Sequence, residues 1–196
     1  MIIFPSGLLV TQTEYKCMQH IEANPEQSMR DAWDENVILY RDKMIDRWRP
    51  TLLADSDVSD MPAEPGALAA LILGRSDYKT RAQRNAAQAN LPSFEAFNTA
   101  RYDAVDRSGT TTTLFEDGVD LSSTSVSYIL DRHEDIDDLF HGSVLGRINK
   151  GKKKMIAKYH PIILADASVT TMPATEDGLI TMILARADYK EEHING

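Results

Sequence analysis

Thirty residues at positions 50–79, PTLLADSDVSDMPAEPGALAALILGRSDYK, return at 161–190 as PIILADASVTTMPATEDGLITMILARADYK, without a gap and with 15 identities. The offset is 111 (161 − 50), and it holds well outside that stretch. Met44 and Ile45 fall on Met155 and Ile156, Trp48 on Tyr159, and Phe4 and Gly7 on Phe115 and Gly118. The pattern divides the chain into a first unit at 1–82, a helical connector at 83–111 and a second unit at 112–196. Units of this length are too long for a solenoid repeat. They are also small for a domain, because a short chain buries too little of its own surface. A tandem duplication packed as one pseudo-twofold body is therefore the expected architecture.

Composition narrows the class. Of 196 residues 42% are hydrophobic, enough to build a core rather than stay disordered. A formal charge of −9 argues against the whole surface serving nucleic acid. No apolar run is long enough to cross a bilayer, and the start, MIIFPSGLLV, lacks the basic flank of a signal peptide. Cys17 is the only cysteine, so no intrachain disulfide framework exists, and a cytoplasmic, reducing setting fits.

Along each unit the pattern predicts a short β-hairpin and three helices. The segments IIFPSGLLV and TLFEDGVDL read as strand–turn–strand around Gly7 and Gly118. Thr11 and Glu14 have capping-box spacing for a first helix, on which Cys17 reads as a packed core thiol. Met29, Trp33, Val37, Tyr40, Met44, Trp48 and Leu52 recur every three or four residues, the stripe of a buried helix face. Phe140, Val144, Ile148, Met155, Tyr159 and Ile163 repeat it. Pro50 and Pro161 predict a kink or an end in those helices, and Gly151 either a break or simply a cost of about 1 kcal/mol relative to alanine. A third helix is expected from about Glu64 to beyond Lys79 and again from Glu176 to about Glu191, with RAQRNAAQAN prolonging the first copy. In the connector, Ser93 is placed to cap a helix carrying Phe94, Phe97, Tyr102 and Val105. The fold class is mainly α with minor β.

Three groups of polar residues are candidates for chemistry. Asp55, Arg75 and Tyr78 recur as Asp166, Arg186 and Tyr189. An arginine on an apolar stripe needs a partner, so these read as a structural clamp pinning a loop, against the alternative of twin anion sites. His133, Glu134, Asp137 and His141, in RHEDIDDLFHG, have offsets that in part share a helical face and offer donors a divalent metal accepts. Their spacing is neither HExxH nor Glu-x-x-His. Lys150, Lys152, Lys153, Lys154 and Lys158 form a basic run in an acidic chain, able to grip phosphate or an acidic partner, without interleaved aromatics for base stacking. No phosphate-binding glycine loop, nucleophile elbow or CxxC pair is present, so no cofactor is expected.

LLADSDV resembles a phrase, LLAxxDW, of some phage tail-assembly proteins; the likeness covers seven residues and lacks the tryptophan. It implies a phage- or virion-associated structural or assembly factor, with a virion location. The residues themselves favour a non-enzymatic interaction or assembly protein that self-associates or binds a protein partner. The enzymatic alternative is a divalent-metal-dependent hydrolase built on the His133–His141 group. A third is a phosphate or nucleic-acid binder using the lysine run.

Overall fold

The computed structural model describes residues 2–4, 6–88 and 94–192. It is mainly helical. In chain order the elements are β1 (Ile2–Ile3), β2 (Leu8–Thr11), α1 (Gln12–Gln19), α2 (Pro25–Ala54), α3 (Pro65–Leu73), α4 (Arg81–Ala86), α5 (Phe97–Asp103), β3 (Thr111–Leu114), β4 (Val119–Asp120), α6 (Ser123–Arg132), α7 (Ile136–Ala165) and α8 (Glu176–Leu184). The bounds of α2 and α7 differ by 111 at both ends, as do those of α3 and α8.

The strands do not form the expected hairpins. β1 pairs antiparallel with β4 (Ile2 opposite Asp120), and β2 with β3 (Leu8 opposite Leu114, Thr11 opposite Thr111). Each early strand thus takes its partner from the other half. Periodicity marks a strand but does not name its neighbour. The turns that redirect the chain are alike. Phe4 and Phe115 have φ of 51° and 56°, Gly7 and Gly118 have 71° and 73°, and each glycine N–H donates to the phenylalanine carbonyl, at 2.8 and 2.7 Å. A Cβ on Gly7 would lie 2.7 Å from the Leu114 carbonyl oxygen, and one on Gly118 2.9 Å from that of Ile3. Only glycine allows both the left-handed backbone and that approach.

The first helices are exchanged in the same sense: α1 lies on α7, and α6 on α2. The capping box of Thr11 and Glu14 opens α1 as its spacing predicts. Cys17 is buried on this contact. Of the two readings of Gly151, a break in α7 does not occur; the glycine lets the two backbones meet, since a Cβ there would lie 1.9 Å from the Cys17 carbonyl oxygen. The helix runs through it without interruption.

Prolines also fail to end the long helices. Pro50 and Pro161 sit inside α2 and α7. Both prolines are on the exposed side, where the carbonyl deprived of a donor can bond to water. Leu52 and Ile163 just beyond them are buried, and that burial holds the final turn in register.

The third helices end sooner than predicted. α3 is capped by Gly74 and α8 by Ala185, and the chain then turns, with Tyr78 N bonded to Arg75 O and Tyr189 N to Arg186 O, each at 3.2 Å. RAQRNAAQAN does not prolong α3; α4 starts afresh with its own capping box from Thr80 and Gln83. Ser93, the expected connector cap, lies outside the described residues. α5 begins instead against Asp138 of α7, whose carboxylate accepts from Asn98 N at 2.6 Å and Thr99 N at 3.0 Å.

Among the described residues, buried apolar side chains gather in three places. A central core joins the four strands to Trp33, Tyr102, Phe115 and Phe140, with Trp33 and Phe140 ring centroids 3.9 Å apart. A second cluster joins the C-terminal part of α2 to α3 and includes Tyr128 from α6. A third joins the C-terminal part of α7 to α8 and includes Cys17 from α1. Each end of the molecule therefore borrows a core residue from the opposite half.

Candidate functional site

The clamp residues lie at the two ends where α2 and α7 stop. Asp55 terminates α2, and its Oδ1 accepts from Asp57 N at 3.0 Å. Arg75 donates to Asp55 Oδ2 at 2.7 Å and straddles Asp77, with contacts of 2.8 and 3.1 Å. The second end repeats this: Arg186 reaches Asp166 at 3.1 Å and Asp188 at 2.7 and 2.9 Å. Hydrogen bonds from Arg75 hold the carboxyls of Asp55 and Asp77 below their ordinary pKa, while Asp166 is lowered first by Ser168 and then by Arg186. Each guanidinium already faces two carboxylates. The group is net negative, so it repels rather than collects an anion.

The tyrosines of these loops reach the opposite half. Tyr78 OH donates to the Ser127 carbonyl of α6 at 3.5 Å, and Tyr189 OH lies 3.4 Å from His20 Nδ1 at the end of α1. Burial pushes Tyr78 up to about 12, and it raises Tyr189 as well. Both remain neutral hydrogen-bonding groups at ordinary pH.

His133, Glu134, Asp137 and His141 are not assembled into one donor set. α6 ends at Arg132 and α7 starts at Ile136 behind an Asp135 cap, so the helical face they were expected to share is broken between them. His133 meets Tyr40 edge-on with ring centroids 5.1 Å apart, and Glu134 accepts a hydrogen bond from Asn85. His141 is buried, 2.9 Å from Thr99 Oγ1 and stacked on Tyr102. Desolvation lowers the pKa of both histidines and raises that of Asp137. Among the described residues no group of three or more His, Cys, Asp or Glu side chains is placed to hold a metal ion. Position 111 residues earlier explains the pattern. Glu26 and Arg30 stand where Asp137 and His141 do. Glu26 accepts from Phe115 N at 3.1 Å, and Arg30 covers the Phe115 ring at 4.9 Å. His141 correspondingly packs on Phe4, with centroids 5.4 Å apart. Glu26, Arg30 and His141 thus brace the turn of the other half.

The lysine run divides into two sets along α7. Lys152 and Lys158 are engaged, with Asp177 and with Glu192 at 2.6 Å. Lys150, Lys153 and Lys154 are exposed, and among the described residues none has an ion-pair partner. Cys17 lies buried beneath this helix, and desolvation lifts its thiol to about 12. It is not a nucleophile at neutral pH.

Sequence reasoning missed the buried acid Asp131. It forms ion pairs with Arg47 of α2 and with Arg84 of α4, the latter at 3.1 Å, and Arg84 also donates to its carbonyl at 2.6 Å. The available signal was position: Asp131 lies 111 beyond His20, which is also buried. Large apolar side chains also remain on the surface at matching places. Leu53 and Leu164, in the last turns of α2 and α7, are 72% and 64% exposed.

The comparisons add no relative. No family model, curated protein or solved structure matches the chain. Among the described residues no helix is long and apolar enough to cross a membrane.

Proposed function

We propose that the chain is a non-enzymatic interaction and assembly protein, an internally duplicated helical scaffold whose two pseudo-equivalent ends are contact surfaces. The observation that carries this reading is the pair Leu53 and Leu164. Both are leucines, 111 apart, and both are left 72% and 64% exposed on the last turn of a long helix. Exposing a leucine forgoes about 1.5–3 kcal/mol of burial. Exposed Ile162 beside Leu164 widens the apolar surface at that end, and the matched exposure of the two leucines supports a reading in which a partner covers them. The charged residues beside them are spent on the loops, Arg75 and Arg186 each on two carboxylates, and this fits ends built to hold shape rather than to do chemistry.

Site-specific photo-crosslinking in cells tests it. A photoreactive residue at Leu53 or at Leu164 should give discrete adducts, to this chain or to another protein, whereas one at exposed Glu95 of the connector should not. Equal, diffuse labelling at all three positions would sink the reading. A phage- or virion-associated assembly role is a narrower version of the same proposal, supported only by the LLADSDV phrase.

A further inference from the structure

The two halves differ most in where their uncompensated charge lies. The loop at 55–64 carries Asp55, Asp57, Asp60 and Glu64 and no base, whereas its counterpart at 166–175 carries Asp166 alone. Asp55 is held by Arg75, but Asp57, Asp60 and Glu64 are exposed, and among the described residues no cation pairs with them. The long helices have the opposite bias. From 139 to 165 α7 contains no acid, and its exposed face presents Lys150, Lys153 and Lys154. The same positions on α2 hold Leu39, Asp42 and Lys43. One end of the molecule thus offers three unpaired acids beside exposed Leu53. The middle of α7, the helix that ends in exposed Ile162 and Leu164, offers three cations with no ion pair among the described residues, of which Lys154 also feels the Glu192 carboxylate.

We infer that the lysine face of α7 receives the acidic loop 55–64 of a second copy of this chain. This deepens the assembly reading and rests on it. Like-with-like pairing is disfavoured, since acidic loop against acidic loop and lysine face against lysine face both repel. Acidic loop against lysine face attracts, and the flanking leucines supply apolar surface for the centre of the contact. Made once between two copies, the contact leaves one acidic loop and one lysine face open and continues into a ring or a filament; made reciprocally about a twofold axis, it closes a dimer.

A charge-swap experiment tests the inference by light scattering on a sizing column. Two triple variants are made: Asp57→Lys with Asp60→Lys and Glu64→Lys, and Lys150→Glu with Lys153→Glu and Lys154→Glu. All six positions are exposed, and helical content by circular dichroism checks that both variants fold. The parent at low salt should run well above the 21.9 kDa of one chain and shift toward that mass as salt is added. Each variant alone should remain at one chain's mass at concentrations at least about tenfold higher, a loss of ~1.4 kcal/mol or more of contact energy. An equimolar mixture should regain the parent's large species, because swapped charges again face their opposites. A parent that stays at one chain's mass at low salt overturns the inference. So do large species that persist unchanged in both variants. Binding of a DNA duplex by the parent, lost in the lysine variant and without self-association, overturns it in favour of a polyanion site. Crosslinks from Leu53 or Leu164 to a different protein, together with a monomeric parent, would leave the broader assembly reading standing while removing this one.

Discussion

Where α1 lies on α7, the backbones touch at Gly151; where α6 lies on α2, the same position holds Tyr40, which packs against the cluster that contains Tyr128 and meets His133 edge-on. The two contacts occupy equivalent places in the fold and are filled by opposite means, one by backbone approach and one by aromatic side chains. The ends of those first helices differ as well. His20 is buried against Tyr189 and the chain that follows it, with its carbonyl accepting from Glu192 N at 2.8 Å. Asp131 is buried against two arginines. One framework therefore tolerates a histidine–tyrosine lock or an arginine–carboxylate one, provided that the pieces on both sides change together.

The largest effect should come from the backbone contact. Gly151→Ala puts a Cβ where a main-chain carbonyl already is, and the helices must part. A loss of about 3 kcal/mol, the upper range for overpacking, is expected in urea denaturation. Tyr40→Ala, at the matching position, should cost about 1–2 kcal/mol, since the ring is half-buried. Equal costs would show that the two contacts are not filled differently after all.

The ionic lock ranks next. Asp131→Ala leaves Arg47 and Arg84 without their carboxylate, but both are about a third exposed and water takes up part of the loss. About 2 kcal/mol is expected. Arg47→Met with Arg84→Met in the Asp131→Ala background should recover some of it. No recovery would mean that the acid matters through packing alone.

Acid should then separate the connector from the ends. His133 and His141 have lowered pKa values in the folded chain, so their contribution is complete above the ordinary histidine pKa of about 6.5 and fades as pH falls. The lowered carboxyls of Asp55, Asp77, Asp166 and Asp188 keep their contribution down to about pH 4 and lose it below. Amide exchange should therefore rise first in α5 and only at lower pH in the loops after α3 and α8. Replacing His141 with Gln should abolish the earlier step. Simultaneous loosening of both regions would remove the distinction.

The smallest effect concerns Pro50 and Pro161. Restoring an N–H with alanine should change stability by less than about 1 kcal/mol at either site, because the freed carbonyl faces water and the gain of a bond is offset by a more flexible unfolded chain. A large gain at one site only would reveal strain in that helix.

Much of this was legible because local chemistry determines it. The Thr11 capping box, the stripes on α2 and α7 and the burial of Cys17 depend on spacing and residue type within one segment. What stayed hidden depends on a second segment. Val10 alternates as a strand residue should, but nothing near it says that its neighbour is Thr112. Gly151 looked like a helix breaker because its reason for being small is a carbonyl in α1. His141 looked like a metal ligand until Phe4 and Tyr102 were in place beside it. Asp131 gave no local sign of Arg47, 84 residues earlier in the chain.

The exchanged pairing of β1 with β4 and β2 with β3 also sets a schedule for synthesis. When residues 2–11 leave the ribosome, the strands they need are still some hundred codons away. At roughly 5–20 residues per second that is a wait of about 5–20 s. During it Ile3, Leu8 and Val10 have no neighbour to cover them. Nor can the nascent first half finish its own end, since Tyr128 belongs to that core and comes late. Polysomes that place many such chains side by side would also offer those waiting strands another chain's β3 and β4.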